Sequence, residues 1–288
     1  MHSQTITEQY DRSQVMPTEP DHVRFSILIS IAILCGCTQL LVKGVAVTWR
    51  LVIALGIGLL FLFQHLLAVR IGLLSLYSAG ALLLLGLGWQ LRSWKTAVVS
   101  MALVMGVGLV CLWSLPTLQL RIHNTFYDTM QRGAASSANN FSVTARLYSY
   151  EIAQTIIQQH PILGVGKAQL EYEMERQYSY RYPEINANNY LLPHNQFIYN
   201  LAAYGSIGLI FFLYGFYYPL WVSLRKRNIL SIVIYLVITI SFLTEYTLEN
   251  NLGVIIGLFF TLLALAPTAN EEKDITLLPV LPTQASNR

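Results

Sequence analysis

Charge is what this sequence has least of. Only 11% of its 288 residues are charged, against roughly 25% in an ordinary soluble domain. With 54% of residues hydrophobic, that scarcity excludes a water-soluble globular chain and points to a polytopic membrane protein. The net charge of +3 is small, and the basic residues stand beside apolar runs rather than in one patch, so no nucleic-acid partner is expected. The three cysteines, Cys35, Cys37 and Cys111, all lie within apolar runs. On a helix Cys35 and Cys37 would point about 200° apart, which gives neither a disulfide framework nor a metal site. The first 24 residues contain no apolar core of the kind a secretory signal peptide needs. The P-loop, G-x-S-x-G and H-E-x-x-H patterns are missing, and no His/Cys/Asp/Glu set has metal-ligand spacing, so neither a metal nor a cofactor is expected.

What is present is a series of long apolar runs. A hydrocarbon core about 30 Å thick requires about 20 such residues. Runs at 25–42, 51–69, 71–91, 96–115, 197–222 and 229–247 qualify, and a shorter seventh at 252–266 borrows from Leu248 onward. The expected fold is therefore an all-α polytopic transmembrane bundle of about seven spans with a large helical loop outside the membrane. Lys43 and Arg50, Arg92 and Lys95, and Arg225 to Arg227 fall in every second connection, and basic loops stay preferentially cytoplasmic. One topology fits: 1–24 outside, four spans over 25–115, an extracytoplasmic loop over 116–194, three spans over 195–266, and a cytoplasmic tail over 267–288. A polar segment left outside is an awkward start for an inserted protein, so the sequence reads as the C-terminal part of a protein of about twelve spans, from a truncated or split reading frame.

The stretch from Thr144 to Gly208 is the one long polar and basic interval between apolar runs, and function is expected there. Ser142 or Thr144 can cap a helix running to about His160. Leu147, Ile152, Ala153, Ile156 and Ile157 then form one apolar stripe at helical spacing, to lie on neighbouring helices or on the membrane. Pro161 and Gly164-Val-Gly166 stop that helix, and a second is expected from about Lys167 to Gln177. The tyrosines and asparagines of 178–193 suit either an interfacial aromatic belt or sugar contacts.

Arg146 falls in what would be the first turn of the loop helix, where the dipole disfavours a cation. A bound phosphate would hold it there through paired charge-assisted hydrogen bonds; so would a salt bridge with Glu151 or another loop carboxylate. Arg70 interrupts two apolar runs on the side where a topology-setting charge is not needed, and it reads either as a snorkelling residue or as a functional one. Arg176 and Arg181 are further candidates for substrate contact, with a cation–π stack as the alternative for Arg181. Asn195 is suited to cap the fifth span, which would free His194 to act as a general base near neutral pH.

The ordered set Arg146-x-x-x-Tyr150, Pro161-Ile-Leu-Gly164-Val-Gly166, His194-Asn195 and Gly205-x-x-Gly208, with Arg70 upstream, resembles the C-terminal domain of the O-antigen ligase and polymerase superfamily, over about residues 54–212. Val-Arg70-Ile-Gly departs from the Ser-Arg-Gly pattern commoner there. The resemblance implies a metal-independent, inverting glycosyltransferase at the outer face of the bacterial inner membrane. Its donor would be a glycan on undecaprenyl pyrophosphate, drawn from the membrane lipid. The acceptor would be a lipid A–core sugar for a ligase, another glycan repeat for a polymerase, or a protein for an O-glycosyltransferase. Arg70, Arg146 and His194 would carry the chemistry, with Asn195, Arg176 and Arg181 binding substrate. The competing class is a transporter or a non-enzymatic membrane subunit. Transporters carry ionisable groups at mid-membrane, whereas here Glu245 and Glu249 flank an external turn and no span has an acidic residue near its centre.

Overall fold

Every regular element among the described residues is helical, as the scarcity of charge and the long apolar runs require. The structure, a computed structural model, describes residues 22–41, 44–90, 92–130 and 133–263. The expected outside segment up to residue 21, Lys43 and the expected tail from 267 lie outside that set. In chain order the helices are α1 (His22–Gln39), α2 (Val47–Leu67), α3 (Arg70–Gln90), α4 (Trp94–Ser114), α5 (Pro116–Met130), α6 (Ser142–Gln159), α7 (Lys167–Arg181), α8 (Gln196–Arg225), α9 (Ile229–Thr244) and α10 (Asn251–Leu263).

Five of these, α1 to α4 and α8, are long and apolar enough to cross a membrane. The expected sixth and seventh spans are α9 and α10, apolar helices of 16 and 13 residues. Leu55 and Leu59 on α2 and Leu103 and Val110 on α4 stand exposed on the outside of the bundle, which water would not tolerate and acyl chains do. The interior is built where α1, α3 and α9 meet, around Ile27, Ile31, Leu34, Leu83, Val233, Ile238 and Phe242. Polar side chains inside the bundle are tied to backbone: Ser30 donates to Gly72 O at 3.0 Å and Gln64 Nε2 to Ser26 O at 3.1 Å. A Cβ on Gly72 would stand 2.3 Å from that Gln64 nitrogen, so the glycine two residues after Arg70 is what lets α2 and α1 approach α3.

The ends of the bundle differ. Gly86 late in α3 meets Ile229 at the start of α9, while Arg70 at the start of α3 and Thr244 at the end of α9 line a common cavity. Those contacts set Arg92 and Arg225 to Arg227 at one end of the bundle and Arg70 at the other. At the Arg70 end sits a second core, where α6, α7 and the first turns of α8 enclose Ile152, Ile156, Leu170, Met174, Tyr178 and Ala202. Ile152 and Ile156 are 0% and 1% exposed: the apolar stripe of the loop helix faces protein.

The interval 116–194 holds a helix that the apolar stripe of 144–160 did not announce. α5 presents Asp128, which takes over the capping expected of Ser142 or Thr144. Its carboxylate accepts from Val143 N at 2.8 Å and from Thr144 N at 3.1 Å, and Thr144 Oγ1 donates to it at 3.0 Å. Ser142 is already the first helical residue, so it cannot be the cap. α8 is broken at Gly205 (φ 66°, ψ −170°), so the expected span 197–222 is a short segment joined to a long one.

Candidate functional site

The break in α8 explains why two glycine motifs so far apart occur together. Where the helix opens, the carbonyls of Ala202 and Ala203 lose their helical donors. Val165 N and Gly166 N donate to them at 3.1 and 2.7 Å, and Ser206 N and Ile207 N donate back to Pro161 O and Ile162 O at 2.8 and 3.3 Å. A Cβ on Gly164 would come within 2.5 Å of Ala203, and one on Gly205 within 2.2 Å of Ile162 O. Both glycines also have φ of +66°, a region L side chains rarely enter. Pro161–Gly166 and Gly205 are thus a backbone interlock that docks the loop onto α8.

That interlock and the Asp128 cap set α6 so that Arg146 points back at the bundle. Arg146 is the fifth residue of α6, in its second turn rather than its first. It lines a cavity of about 450 Å³ with Arg70, Ser142, His22 and Thr244. Arg70 is the first residue of α3 rather than the end of the preceding span. The N-termini of α3 and α6 therefore open on the cavity that both arginines line, and each carries a partial positive charge. Asp128 takes up two of the α6 amides. Arg70 and Ala68 also line an adjoining apolar cavity of about 560 Å³ with Tyr77, Leu118 and Phe126, so Arg70 stands between a compartment of mixed lining and an oily one.

The partner of Arg146 is Glu245, the residue that ends α9, and not Glu151. The Nη2–Oε1 distance is 2.8 Å; Glu151 instead accepts from the Tyr182 hydroxyl at 2.6 Å, an interaction that with burial pushes the Tyr182 phenol up to about 12. The other oxygen of Glu245 lies 2.8 Å from His194 Nδ1. Tyr150, one turn beyond Arg146, donates to the His194 carbonyl at 2.8 Å; burial holds its phenol above the ordinary range, so it stays a donor at neutral pH. The Tyr246 ring stands edge-on to the imidazole at 5.1 Å. Asn195 caps α8, accepting from Phe197 N and Ile198 N at 3.0 and 3.1 Å, and its amide donates to Leu243 O at 3.1 Å. Oxygen and nitrogen of the Asn195 side chain are both engaged within the protein.

Arg70, Arg146 and His194 are thereby brought together, the first two by a shared cavity and the last two by Glu245. Arg176 and Arg181 are not part of this group. Both sit on α7, where Arg176 pairs with Glu173 at 2.6 Å and Arg181 is exposed in the last turn. The tyrosines of 178–193 divide: Tyr178 is core, stacked on Tyr190 at 4.4 Å, and Tyr180 is exposed. Glu245 is the functional-looking residue that motif reading passed over. Its signal was a carboxylate ending an apolar run, where a membrane helix rarely keeps one without a partner. Among the described residues no three His, Cys, Asp or Glu side chains gather closely enough to hold a metal ion.

A family model described as O-antigen ligase matches residues 51–213, more than half of the chain. The match takes in Arg70, Arg146, the Pro161–Gly166 turn, His194-Asn195 and Gly205, and it ends before Glu245. No curated protein matches the chain.

Proposed function

The chain belongs to the O-antigen ligase family, and from that premise we propose that it is a membrane glycosyltransferase that moves a glycan from undecaprenyl pyrophosphate to a lipopolysaccharide core sugar or a similar glycan acceptor. The observation that carries this reading is the convergence of Arg70 and Arg146 on one cavity at the N-termini of two helices. Two guanidinium groups lining one cavity suit an anion there, since Glu245 engages only one nitrogen of Arg146. A diphosphate is such an anion, since guanidinium groups bind phosphate oxygens in pairs. The apolar compartment beside Arg70 accommodates the start of the lipid tail.

The acceptor hydroxyl gives its proton to His194, and its oxygen attacks the anomeric carbon from the face opposite the diphosphate. The bond from that carbon to the diphosphate oxygen breaks, and the lipid diphosphate leaves with the electron pair. Charge developing on the leaving oxygens is met by Arg70 and Arg146, electrostatic stabilisation by groups already in place. The proton then passes from His194 to solvent. We assign the site to the periplasmic face of the bacterial inner membrane, because Arg92 and Arg225 to Arg227 sit at the other end of the bundle and basic loops stay cytoplasmic.

Transfer from an undecaprenyl-pyrophosphate-linked glycan in lipid nanodiscs tests the scheme. Arg70→Lys and Arg146→Lys keep the charge and lose the two-pronged geometry, so turnover should fall, and further for alanine. His194→Ala should bind undecaprenyl pyrophosphate as before while turnover drops about 10²–10⁴-fold. Normal turnover in His194→Ala would remove the histidine from the chemistry. Activity abolished by EDTA would refute a transfer driven by arginines alone.

A further inference from the structure

Glu245 touches the two groups of the site that do different work, one oxygen on each. Its Oε1 lies 2.8 Å from Arg146 Nη2 and its Oε2 2.8 Å from His194 Nδ1. The side chain is 11% exposed. Its backbone is fixed where α9 ends, in extended geometry with its N–H on Ser241 O at 2.9 Å. We propose that Glu245 is a positioning residue for the transfer: it holds the His194 proton on Nδ1, so that Nε2 faces the acceptor as a base, and it aims Arg146 at the cavity. The proposal rests on the functional reading above.

The chemistry of the two partners makes this division unequal. A carboxylate only accepts, so the imidazole nitrogen facing it must be the donor, and the neutral ring then has its lone pair on Nε2. Among the described residues Nε2 has no protein partner, and the His194 side chain keeps 19% of its surface open. When Nε2 takes the acceptor's proton, the imidazolium forms against a carboxylate already in place, at no cost of reorganisation. Arg146 needs only one of its five N–H donors for Glu245, and the rest remain for a phosphate. Yet a fixed negative charge beside the cavity also repels a diphosphate. Glu245 therefore promotes turnover and opposes donor binding, a pair of effects with opposite signs that a purely structural residue would not produce.

Glu245→Gln separates them. The neutral side chain keeps the shape and accepts on one atom only; with its amide group turned to His194 it stabilises the Nε2–H form. Turnover is expected to fall on the order of 10²-fold or more, since setting the wrong tautomer on a catalytic histidine costs up to ~10⁴-fold elsewhere. Affinity for undecaprenyl pyrophosphate, measured on the whole chain in nanodiscs, should stay the same or tighten. Glu245→Asp, which keeps the charge, should recover part of the turnover. Equal losses of binding and turnover in Glu245→Gln, or unchanged turnover, would overturn the proposal. ¹⁵N-histidine spectra read the tautomer without any assay, the His194 signals being assigned by their loss in His194→Gln: Nδ1–H is expected in the native chain and Nε2–H in Glu245→Gln. Nε2–H in the native chain would overturn the positioning role. Native protein that shows Nδ1–H and binds no undecaprenyl pyrophosphate would instead refute the donor reading and support the positioning of His194.

Discussion

Arg146 shows how a residue out of place in its own helix is explained by another part of the chain. A cation near a helix N-terminus is unfavourable by the dipole alone, and the sequence supports two remedies, an anion ligand or a carboxylate. The structure supplies the carboxylate, Glu245, 99 positions away, and leaves the guanidinium on a cavity as well. Asp128 is the complementary case, an acid brought to the N-terminus of α6 from α5. Replacing it with alanine removes two amide acceptors from a residue 5% exposed. A loss of about 1 kcal/mol, in the range of a helix cap, is expected. Hydrogen exchange at Val143 and Thr144 should speed up by a factor of several; unchanged protection would show that the Asp128 carboxylate does not hold these amides.

Among the elements, the turn at 161–166 and the broken helix α8 depend on one another. Gly205→Ala would place a methyl group 2.2 Å from Ile162 O at a φ of +66°, so it combines strain of roughly 1–3 kcal/mol with a clash against backbone. Limited proteolysis within 161–166 should become several-fold faster. Gly56→Ala on α2, where an added Cβ meets nothing within 4 Å, is the matched control and should cut like the native chain. Ile156→Asp puts a carboxylate into a position 1% exposed between α6 and its neighbours, at a cost of several kcal/mol. Transfer activity should be lost while the protein still inserts, because the spanning helices are untouched. Full activity would mean that this face of α6 does not need to pack.

For the whole molecule, the ends of the bundle are chemically unlike. Arg92 and Arg225 to Arg227 lie at one end, and Arg225 stacks over Trp221 at 3.7 Å, an aromatic–basic pairing suited to a membrane boundary. The arginine cavity and the second core occupy the other end. An alkaline phosphatase fused near Gly166 should be active and one near Lys226 inactive. The reverse pattern would invert every span and move the site to the cytoplasm.

Composition and hydropathy by themselves determined that the chain is a helical membrane protein, since apolar runs of span length have few other uses. Local signals also placed α6, the start of α7 and the Asn195 cap, because stripes, prolines and caps act within a few residues of themselves. The interlock of Pro161–Gly166 with Gly205 was visible as two motifs, but nothing in either names its partner. Glu245 was visible only as a charge at the end of an apolar run. That it grips Arg146 and His194, and that Asp128 caps a helix on another segment, are pairings between residues far apart in sequence. No periodicity records such pairings: only the meeting of α5, the start of α6, the residues before α8 and the end of α9 at one end of the bundle brings those groups within hydrogen-bond distance.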